Sequence, residues 1–490
     1  MEKQAYLGII TEEEYKLINE LVQNGKLQEY RYLVEMFEKE KDELASMMDK
    51  TPEEVYDAIT ADYLKIVKGI SMVVPGLSTG IKDAKSGVSI YTYDGVTKKD
   101  GQAVDENTRF DLASSTKLFT TVETLKLAEE GKFDLDKLVS EYKDGKYGNL
   151  NIPVEKMAKF YYDLRTDGRL DERDGELSLE ELQRRLASTT IAKEKTFVYS
   201  DIPFIILKDI LPEADDYFKK YFNEEMGLLQ TSYDRSFGVL TGMRDNETVN
   251  DPKARVMERY SLNPGHAGIF STSKDLVKLF ESLNNGFLSN ESITKMVTPA
   301  LDTPILLNPD GTIMYKKNRD GYTSGIQNVN RGMAVYYKHP EGIRANEMVD
   351  AMGNESFATA GFTGTWATFD LKNGLTANIL ANPLSDESER EIVIDNEKFN
   401  IVDCGKHFED ETKFRVAGKT SKVLDGEGNV VGSAPFTRIT NTLKEAQIYT
   451  LLKLRLAKNA LMRKAELEQS EVLSDEVAHS FEEAKTVKGK

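Results

Sequence analysis

Strand-like segments at both ends of the central part of this chain, separated by a long helical stretch, limit what it can fold into. The early pair, ISMVVPGLSTGI and KSGVSIYTYDG, is joined by a polar turn at Lys82–Ser86. The late group, MAVYYKH, ATAGFTGTWATFDL and LTANILANP, begins at Met333 and has glycine-containing turns typical of neighbouring antiparallel strands. Residues from about 135 to 260 are mostly helical and loop-rich. We therefore predict an α+β fold in which early and late strands form one antiparallel sheet, flanked by terminal helices, with a large helical insertion.

Helical patterns lie at both termini. Residues 1–65 are rich in Glu, Lys and Leu, with apolar side chains at helical spacing, and Thr51–Pro52 is typical of a helix start. We predict an acidic helical extension over 1–65, a main domain over 66–440 with a helical subdomain at about 135–260, and a C-terminal helix within 441–490 that packs on the sheet. The extension is interpreted as a packing element, and docking of a partner protein is the alternative.

The composition excludes several classes of function. A net charge of −18 over 490 residues disfavours a general nucleic-acid binder, because phosphate contact needs clustered Lys and Arg. The single cysteine, Cys404, rules out an intrachain disulfide and a multi-cysteine zinc site, although a Cys-His pair with His407 is conceivable. No basic start followed by an apolar run opens the chain, and runs such as Ile202–Leu207 are too short to cross a bilayer. We expect a soluble, cytoplasmic protein with a small-molecule or peptide substrate, no cofactor or metal, no nucleic-acid partner and no membrane span. Its oligomeric state stays open.

A Ser-x-x-Lys spacing places a hydroxyl and an amine on the same side of a helix, one turn apart. The amine can accept the hydroxyl proton when burial or a nearby charge lowers its pKa. The serines that begin this spacing are Ser114, Ser140, Ser271 and Ser292. Only Ser114 stands between a strand-like lead and an apolar helix, whereas Ser271 and Ser292 are interpreted as helix caps and Ser140 as part of a polar stretch. The spacing alone leaves a helix cap with a solvated Lys117 as an equal alternative for Ser114.

Another serine lies in a pattern typical of a different nucleophile. GLSTG around Ser78 fits the G-x-S-x-G pattern of a nucleophile elbow, which needs a strand before the serine and a helix directly after it. The residues that follow, IKDAKSGVSIYTYDG, have strand and turn character, and the corresponding triad needs a histidine, of which the chain has only 4. We interpret Ser78 as a strand residue between two glycines and keep the elbow as the alternative.

Several motifs follow Ser114 in order. DGQAVDENTRFDLASSTKLFTTVETLKLAEEGKFDLD, FVYSDIPFIIL, VNDPKA, GHAGIFSTSKDLVKLF, RGMAVYY and TAGFTGTWATFD occur one after another between about Pro75 and Pro383. Together they resemble the beta-lactamase-related serine hydrolases, a group similar to class C beta-lactamases, DD-peptidases, D-aminopeptidases and some esterases. The first stretch resembles the nucleophile region of that family, the second its Tyr-Ser-Asn element, and the last two its third element. The resemblance implies a beta-lactamase/transpeptidase-like fold and serine hydrolase chemistry.

The resemblance also implies a role for each matched position. Ser114 would attack an acyl carbon as nucleophile, while Lys117 and Tyr199 would move its proton. Tyr199 is a candidate base if adjacent cations make its phenol more acidic. The backbone amides of Ser114 and Phe362 would form the oxyanion hole. Substrate binding would fall to Asp201, Thr359, Ala360 and Gly361.

Two departures from the family pattern bear on activity. The third element usually reads Lys-Thr-Gly or His-Thr-Gly, and here it reads Thr359-Ala360-Gly361, so the cation and the hydroxyl are missing from their usual places. This argues against a beta-lactamase or DD-peptidase that binds a substrate carboxylate there. Asp201 replaces the commoner Asn, which favours a charged Lys117 or a cationic group on the substrate, because an ionised carboxylate only accepts hydrogen bonds.

We therefore expect an acyl-serine hydrolase that acts on an ester or on a small or D-residue amide or peptide. The altered third element motivates an alternative from another class. This is a catalytically weakened relative that binds a peptide or a cell-wall fragment as a sensor or scaffold.

Overall fold

The structure is a computed structural model. It describes residues 50–71, 74–98, 101–235, 239–241, 249–301, 331–338, 347–349, 351–353, 356–382, 443–455 and 457–458, with residue 309 and several short strands. The short strands are Ala5–Tyr6, Ile10–Thr11, Lys316–Lys317, Thr323–Ser324, Glu389–Val393, Lys413–Ala417, Lys422–Leu424 and Val430–Ser433. The last four of these form a four-stranded antiparallel sheet in chain order. Cys404, His407 and most of the extension predicted over 1–65 lie outside the described residues.

The main body consists of strands and helices that we number in chain order. The strands are β1 (Gly76–Asp83), β2 (Ser89–Gly95), β3 (Phe110–Asp111), β4 (Asp163–Arg165), β5 (Thr190–Lys193), β6 (Phe270–Ser271), β7 (Tyr336–Tyr337), β8 (Phe357–Gly361), β9 (Thr365–Asp370) and β10 (Leu375–Ala381). The helices are α1 (Pro52–Ser71), α2 (Thr116–Glu129), α3 (Val154–Ala158), α4 (Leu179–Ala187), α5 (Ile202–Ile210), α6 (Ala214–Phe218), α7 (Pro252–Arg259), α8 (Ser273–Asn284), α9 (Asn290–Val297) and α10 (443–455). A π-helical turn, Lys219–Glu225, continues α6.

The largest sheet joins the early and the late part of the chain. Its order is β7-β8-β9-β10-β1-β2, and every pair is antiparallel. The register of β10 on β1 places Leu375 opposite Asp83 and Ala381 opposite Leu77. The α+β prediction of one shared antiparallel sheet is thus confirmed. The turn between β1 and β2 begins after Asp83, so Lys82, which we assigned to the turn, is a strand residue opposite Ser89.

Terminal helices cover one face of this sheet. Helix α1 begins at Pro52 as predicted, where Thr51 and Glu54 exchange reciprocal hydrogen bonds of a capping box. Its buried Tyr63 and Val67 pack with apolar side chains of α10 and of the central strands. The helix continues to Ser71, so Ile70 and Ser71, which we assigned to the first strand, are helical. The apolar spacing of α1 is satisfied by burial against the sheet, and this extends the helix.

The other face of the sheet carries α8 and, beyond it, the helical insertion. Asn378 of β10 donates from Nδ2 to the carbonyl of Ser273 at 3.1 Å, which fixes the start of α8 on the sheet. Helix α2 lies deep in the larger core, as its apolar pattern predicts, and ends before Gly131, whose φ of 67° is the left-handed conformation expected after a helix. The short ladder of β3 with β6 then holds the chain just before α2.

Candidate active site

The chain turns sharply between β3 and α2, at Ala113–Ser115. The Asp111 carboxylate accepts hydrogen bonds from the amides of Ala113 at 2.7 Å and Asn250 at 3.0 Å. Ala113 has a φ of 45°, which is an uncommon conformation for a residue with a Cβ and marks a strained corner. Burial raises the pKa of the Asp111 carboxyl to about 6, against the effect of the two amides. The corner presents Ser114 to a cavity at the start of α2.

Lys117 lies one turn beyond Ser114 and is almost completely buried. Its Nζ donates to Ser114 Oγ at 3.1 Å, to Asp201 Oδ1 at 2.9 Å and to the carbonyl of His266 at 3.1 Å. An ammonium group has three N–H bonds, and these acceptors use all of them. Burial lowers the pKa of Lys117, but the negative charges of Tyr199 and Asp201 outweigh burial and raise it above its ordinary value. The depressed pKa that would make Lys117 a base is therefore not found, and the geometry fits a charged hydrogen-bond donor.

Tyr199 precedes α5 and faces the same hydroxyl. Lys117 Nζ lies 5.0 Å from the centre of its ring, and Arg331 Cζ lies 4.1 Å from that centre. Burial of the phenol raises its pKa, but the charges of Lys117 and Arg331 and a hydrogen bond with Ser114 overcome this and lower the pKa below its ordinary value. Tyr199 is thus the group in the cluster whose pKa moves toward that of a base at neutral pH.

Asp201 is the N-cap residue of α5 and links two lysines. Its Oδ1 binds Lys117, and its Oδ2 accepts from Lys253 Nζ at 3.0 Å. Burial raises the pKa of Asp201, but the charges of Lys117, His266 and Lys253 hold it well below its usual range. Of the two options that the sequence left for Asp201, this geometry corresponds to a charged Lys117.

A possible metal cluster lies beside this pair. Atoms of Asp201, Asp251 and His266 that can bind a metal lie within 4.8 Å of one another. His266 Nε2 lies 3.0 Å from Asp251 Oδ1, and Asp251 also accepts from two amides that begin α7. Both oxygens of Asp201 already bind ammonium groups, so a metal ion there would meet two positive charges. The residues present therefore fit an ion-pair network rather than a metal centre.

Strand β8, which carries the third element, lies against the corner that contains Ser114. A Cβ on Gly361 would stand 2.3 Å from the carbonyl oxygen of Leu112, so only glycine fits at this close approach. Thr363 Oγ1 and Thr365 Oγ1 donate to the carbonyls of Asp111 at 2.6 Å and Leu112 at 3.1 Å. These contacts attach the edge of the sheet to the corner.

The third-element side chains differ in where they lie. Thr359 is buried within β8, and Ala360 packs against the cluster beneath the terminal helices, on the opposite face from the corner. Phe362, one residue past the strand, is 64% exposed and lines the cavity with Ser114. The structure thus brings Ser114, Lys117, Tyr199 and Asp201 together and places the backbone of Gly361 beside them, with Ala360 turned away.

The cavity beside Ser114 has a volume of about 900 Å³. Its other lining residues are Ala113, Glu172, Arg173, Arg235, Asn250, Asp251, Pro252, Lys253, Arg255, Glu258, Arg259 and Ala267. Charged side chains of the helical insertion and α7 therefore form most of its wall.

The other candidate serines have structural positions. Ser78 is buried in β1, where its Oγ lies 2.7 Å from Ser273 Oγ, so the strand interpretation is confirmed. Ser271 and Ser292 were wrongly interpreted as caps. Thr272 caps α8, because Ser271 is paired in β6, and Ser289 caps α9, three residues before Ser292.

Sequence reasoning assigned no role to Arg331, Lys253 or Arg255. Arg331 and Lys253 lie within motifs that carry the resemblance, RGMAVYY and VNDPKA, and Arg255 follows the second of these. Their positions beside Tyr199, Asp201 and the cavity depend on contacts between segments far apart in the chain.

The beta-lactamase family model matches residues 71–397, which is more than half of the chain. The chain therefore belongs to the beta-lactamase family, and its fold is beta-lactamase/transpeptidase-like. This family match points to serine hydrolases in general.

Comparison with solved structures finds matches of low sequence identity. "A class C beta-lactamase" is 17% identical with a TM-score of 0.46, covering 68% of this chain and 91% of that one. A beta-lactamase from Sulfitobacter sp. EE-36 is 19% identical with a TM-score of 0.46, covering 68% and 93%. EstCE1, a hydrolase with promiscuous acyltransferase activity, is 16% identical with a TM-score of 0.45, covering 67% and 96%. Comparison with curated protein sequences finds no match. Among the described residues, no helix combines the length and the apolar character that crossing a membrane requires.

Proposed function

We propose that this protein is a serine hydrolase that forms an acyl-enzyme at Ser114, acting on an ester or on a small or D-amino-acid amide or peptide. The observation that carries the proposal is the hydrogen bond of 3.1 Å between Lys117 Nζ and Ser114 Oγ at the wall of the cavity. Around it stand a phenol with a lowered pKa and a charged lysine that is held by three acceptors.

The proposed reaction has two steps. In the first, Tyr199 as phenolate accepts the Ser114 proton while Oγ bonds to the acyl carbon. The bond to the leaving group then breaks, and the alcohol or amine leaves with that proton. In the second, water attacks the acyl-enzyme, loses a proton to Tyr199 and releases the acid, and Ser114 regains its proton. Lys117 keeps its charge throughout and orients Ser114 Oγ and the Tyr199 phenol oxygen. The backbone amides of Ser114 and Phe362 would stabilise the developing oxyanion.

A fluorophosphonate probe tests this proposal because it phosphonylates activated serines. Intact-mass analysis of the full chain should show one adduct, which peptide mapping places on Ser114. Ser114→Ala should abolish labelling. Ser140→Ala is the matched control, because Ser140 has the same spacing to a lysine but its Oγ donates to Asn151 outside the cavity. Folded protein without an adduct, or an adduct on another serine, would overturn the proposal.

The second candidate is a binding protein of reduced catalytic power, favoured by the third element. Thr359 and Ala360 carry no charge, and Ala360 packs on the opposite face of the sheet, so the third element supplies no cation to the site. In that case, peptide or cell-wall fragments should bind equally well to the wild type and to Ser114→Ala. No turnover should occur across a panel of esters and amides. Any turnover that Ser114→Ala abolishes excludes this candidate.

A further inference from the structure

The wall of the cavity is positively charged although the whole chain carries a net charge of −18. The cationic side chains of the lining are Arg173, Arg235, Lys253, Arg255 and Arg259. Among the described residues that line the cavity, three are carboxylates: Glu172, Asp251 and Glu258. A concave wall of one sign concentrates ligands of the opposite sign, so the excess favours an anion next to Ser114.

Most of these charges are already neutralised in pairs. Arg259 binds Glu172 through two nitrogens, at 2.5 and 2.6 Å, and Arg235 pairs with Glu258. Lys253 pairs at 3.0 Å with Asp201, which is not one of the three carboxylates that line the wall. Asp251, the third carboxylate of the wall, lies 3.0 Å from His266 Nε2, so the cations of the wall that remain to be compared are Arg173 and Arg255.

Arg255 is the cation of the wall that has no carboxylate within ion-pair distance in the described part of the chain; its charge acts on Glu172 only from farther away, and Arg259 already binds that carboxylate. The one hydrogen bond of Arg255 in that part of the chain is a long one, from Nη1 to the carbonyl of Val249 at 3.5 Å. The charge of Arg173 is partly compensated, because its Nε lies 3.4 Å from Asp171 Oδ2. Asp171 itself is bound mainly by Arg169. Arg255 is also partly buried, and a guanidinium stays charged in proteins. Withdrawing an unpaired charge from water is unfavourable, so its position on the wall indicates a ligand that supplies the missing anion.

We infer that the cavity binds an acyl substrate that carries a carboxylate, and that Arg255 is the residue that binds this carboxylate. A guanidinium suits the task because its planar fork donates two parallel hydrogen bonds to a carboxylate. The inference places the substrate anion at α7 and not at β8, where Thr359 and Ala360 supply no cation. A cavity of about 900 Å³ is large enough for a small acyl group with its leaving group. The inference rests on the proposed function, whose nucleophile lines the same cavity.

Two 4-nitrophenyl esters with the same acyl chain test this inference. The full chain is assayed with 4-nitrophenyl hydrogen glutarate, which carries a carboxylate, and with its methyl ester, which is neutral. Wild type should hydrolyse the acid with a kcat/KM about tenfold or more above that of the methyl ester. Arg255→Gln should lower kcat/KM for the acid by about 10- to 100-fold, mainly through KM, as expected for loss of a charged hydrogen bond. The same substitution should change kcat/KM for the neutral ester by less than about threefold.

Controls separate binding from folding and from overall charge. Arg255→Lys keeps the charge without the fork and should give an intermediate loss. Arg165→Gln removes a cation that pairs with Asp163 away from the cavity, and it should leave the acid-to-ester ratio unchanged. A ratio that Arg255→Gln leaves unchanged, in variants that unfold at the wild-type urea concentration, would overturn the inference.

A binding experiment keeps this inference separate from the proposed function. In the Ser114→Ala background, calorimetry compares glutaric acid monoanilide with its methyl ester. The acid should bind at least about tenfold more tightly, and Arg255→Gln should remove that difference. If the fluorophosphonate fails to label Ser114 but this preference is found, the hydrolase proposal falls and the anion site stands. If the acid and the ester bind equally, the anion site falls whatever the labelling shows.

Discussion

Two buried ion pairs connect the same two helices, α2 and α5, and only one of them belongs to the candidate site. At the cavity, Lys117 of α2 binds Asp201, the N-cap of α5, at 2.9 Å. Farther along, Glu123 of α2 binds Lys208 of α5 at 2.8 Å, with the charges exchanged between the helices. The lysine side chains are 1% and 4% exposed, so burial does not distinguish the two lysines, although the Asp201 side chain is 22% exposed and that of Glu123 only 1%.

The third partner of each ammonium group makes the difference. Lys117 reaches a serine hydroxyl at a cavity, and its carboxylate is shared with Lys253. Lys208 reaches the carbonyl of Ala214 at 3.1 Å, and its carboxylate has one oxygen, Glu123 Oε1, without a hydrogen-bond partner among the described residues. A buried ion pair is therefore weak evidence for catalysis until its further contacts are known. Both pairs join α2 and α5, and the first also binds Ser114, the proposed nucleophile.

Breaking the first pair should give the largest effect on activity. Lys117→Met removes the group that orients Ser114 and lowers the pKa of Tyr199, so kcat/KM for 4-nitrophenyl acetate should fall by about 10³-fold or more. Stability should change little, because Asp201 keeps Lys253 as a partner. Urea unfolding measures that second part.

Lys143→Met is the matched control for Lys117. Lys143 has the same spacing to Ser140 but is exposed, so this variant should keep wild-type kinetics. An active Lys117→Met enzyme, or an inactive Lys143→Met enzyme, would contradict the comparison.

Breaking the second pair should affect stability instead. Lys208→Met leaves the Glu123 carboxylate buried without its cation, which costs about 3–5 kcal/mol in free energy of unfolding. The kcat/KM of the folded protein should stay within about threefold of wild type, since Lys208 does not contact the reacting groups. The double variant Glu123→Leu/Lys208→Met should recover most of the lost stability, because it removes both charges. Loss of activity without loss of stability would assign Lys208 to the site.

Replacing Arg331 should change the pH dependence of activity. Its charge helps to lower the pKa of Tyr199, so Arg331→Gln should raise that pKa. A base works when deprotonated, so the acidic limb of kcat/KM should move to higher pH. Activity at pH 7 should fall by about tenfold, which corresponds to about 1.4 kcal/mol of activation free energy. At high pH the variant should approach the wild type, and Arg331→Lys should keep the limb near its original position. A uniform loss at all pH values would show that Arg331 acts only through structure.

The sequence was sufficient for the part of the fold that depends on local pattern. The strand-like segments that form β1 and β8–β10, the apolar spacing of α1 and α2, and the helix start at Pro52 all correspond to observed elements. Patterns of this kind are read over a few residues, where period and capping chemistry decide. Errors came where two local signals compete. The cap of α8 is Thr272, one residue after Ser271, and the cap of α9 is Ser289, three residues before Ser292. Serine and threonine are both good N-cap residues, so the sequence does not show which of several neighbouring hydroxyls caps the helix.

The site was predictable only in part, for a related reason. Ser114 and Lys117 share one helix, so their spacing is visible in the sequence. Whether Lys117 is a base or a charged donor depends on Asp201 and His266, which come from other segments. In the same way, the second cation beside Tyr199, after Lys117, is Arg331, which lies far along the chain and does not belong to the third element. Charge balance at a site is a sum over tertiary contacts, and no local pattern contains it.

The two pairs should also differ in the sign of their pH dependence, which is the smallest effect. Nearby cations hold the pKa of Asp201 below its unfolded value of about 3.9. Its contribution to stability is therefore present above that pH and is lost as the pH falls through the folded-state pKa. Asp201→Asn should accordingly differ most from wild type near neutrality, and the gap should narrow in acid.

Glu123 should behave in the opposite way. Burial raises its pKa in the folded state, despite Lys208, above the unfolded value of about 4.3. Its contribution is therefore present below the unfolded pKa and is lost as the pH rises through the folded-state pKa. Urea midpoints from pH 3 to pH 7 should thus show the wild type losing stability relative to Glu123→Gln as the pH rises, because only the wild type has to ionise a buried carboxyl at this position. Gaps that change in the same direction for Asp201→Asn and Glu123→Gln would mean that the two pairs are electrostatically alike. The contrast between a pair stabilised by surplus cations and a pair strained by burial would then be wrong.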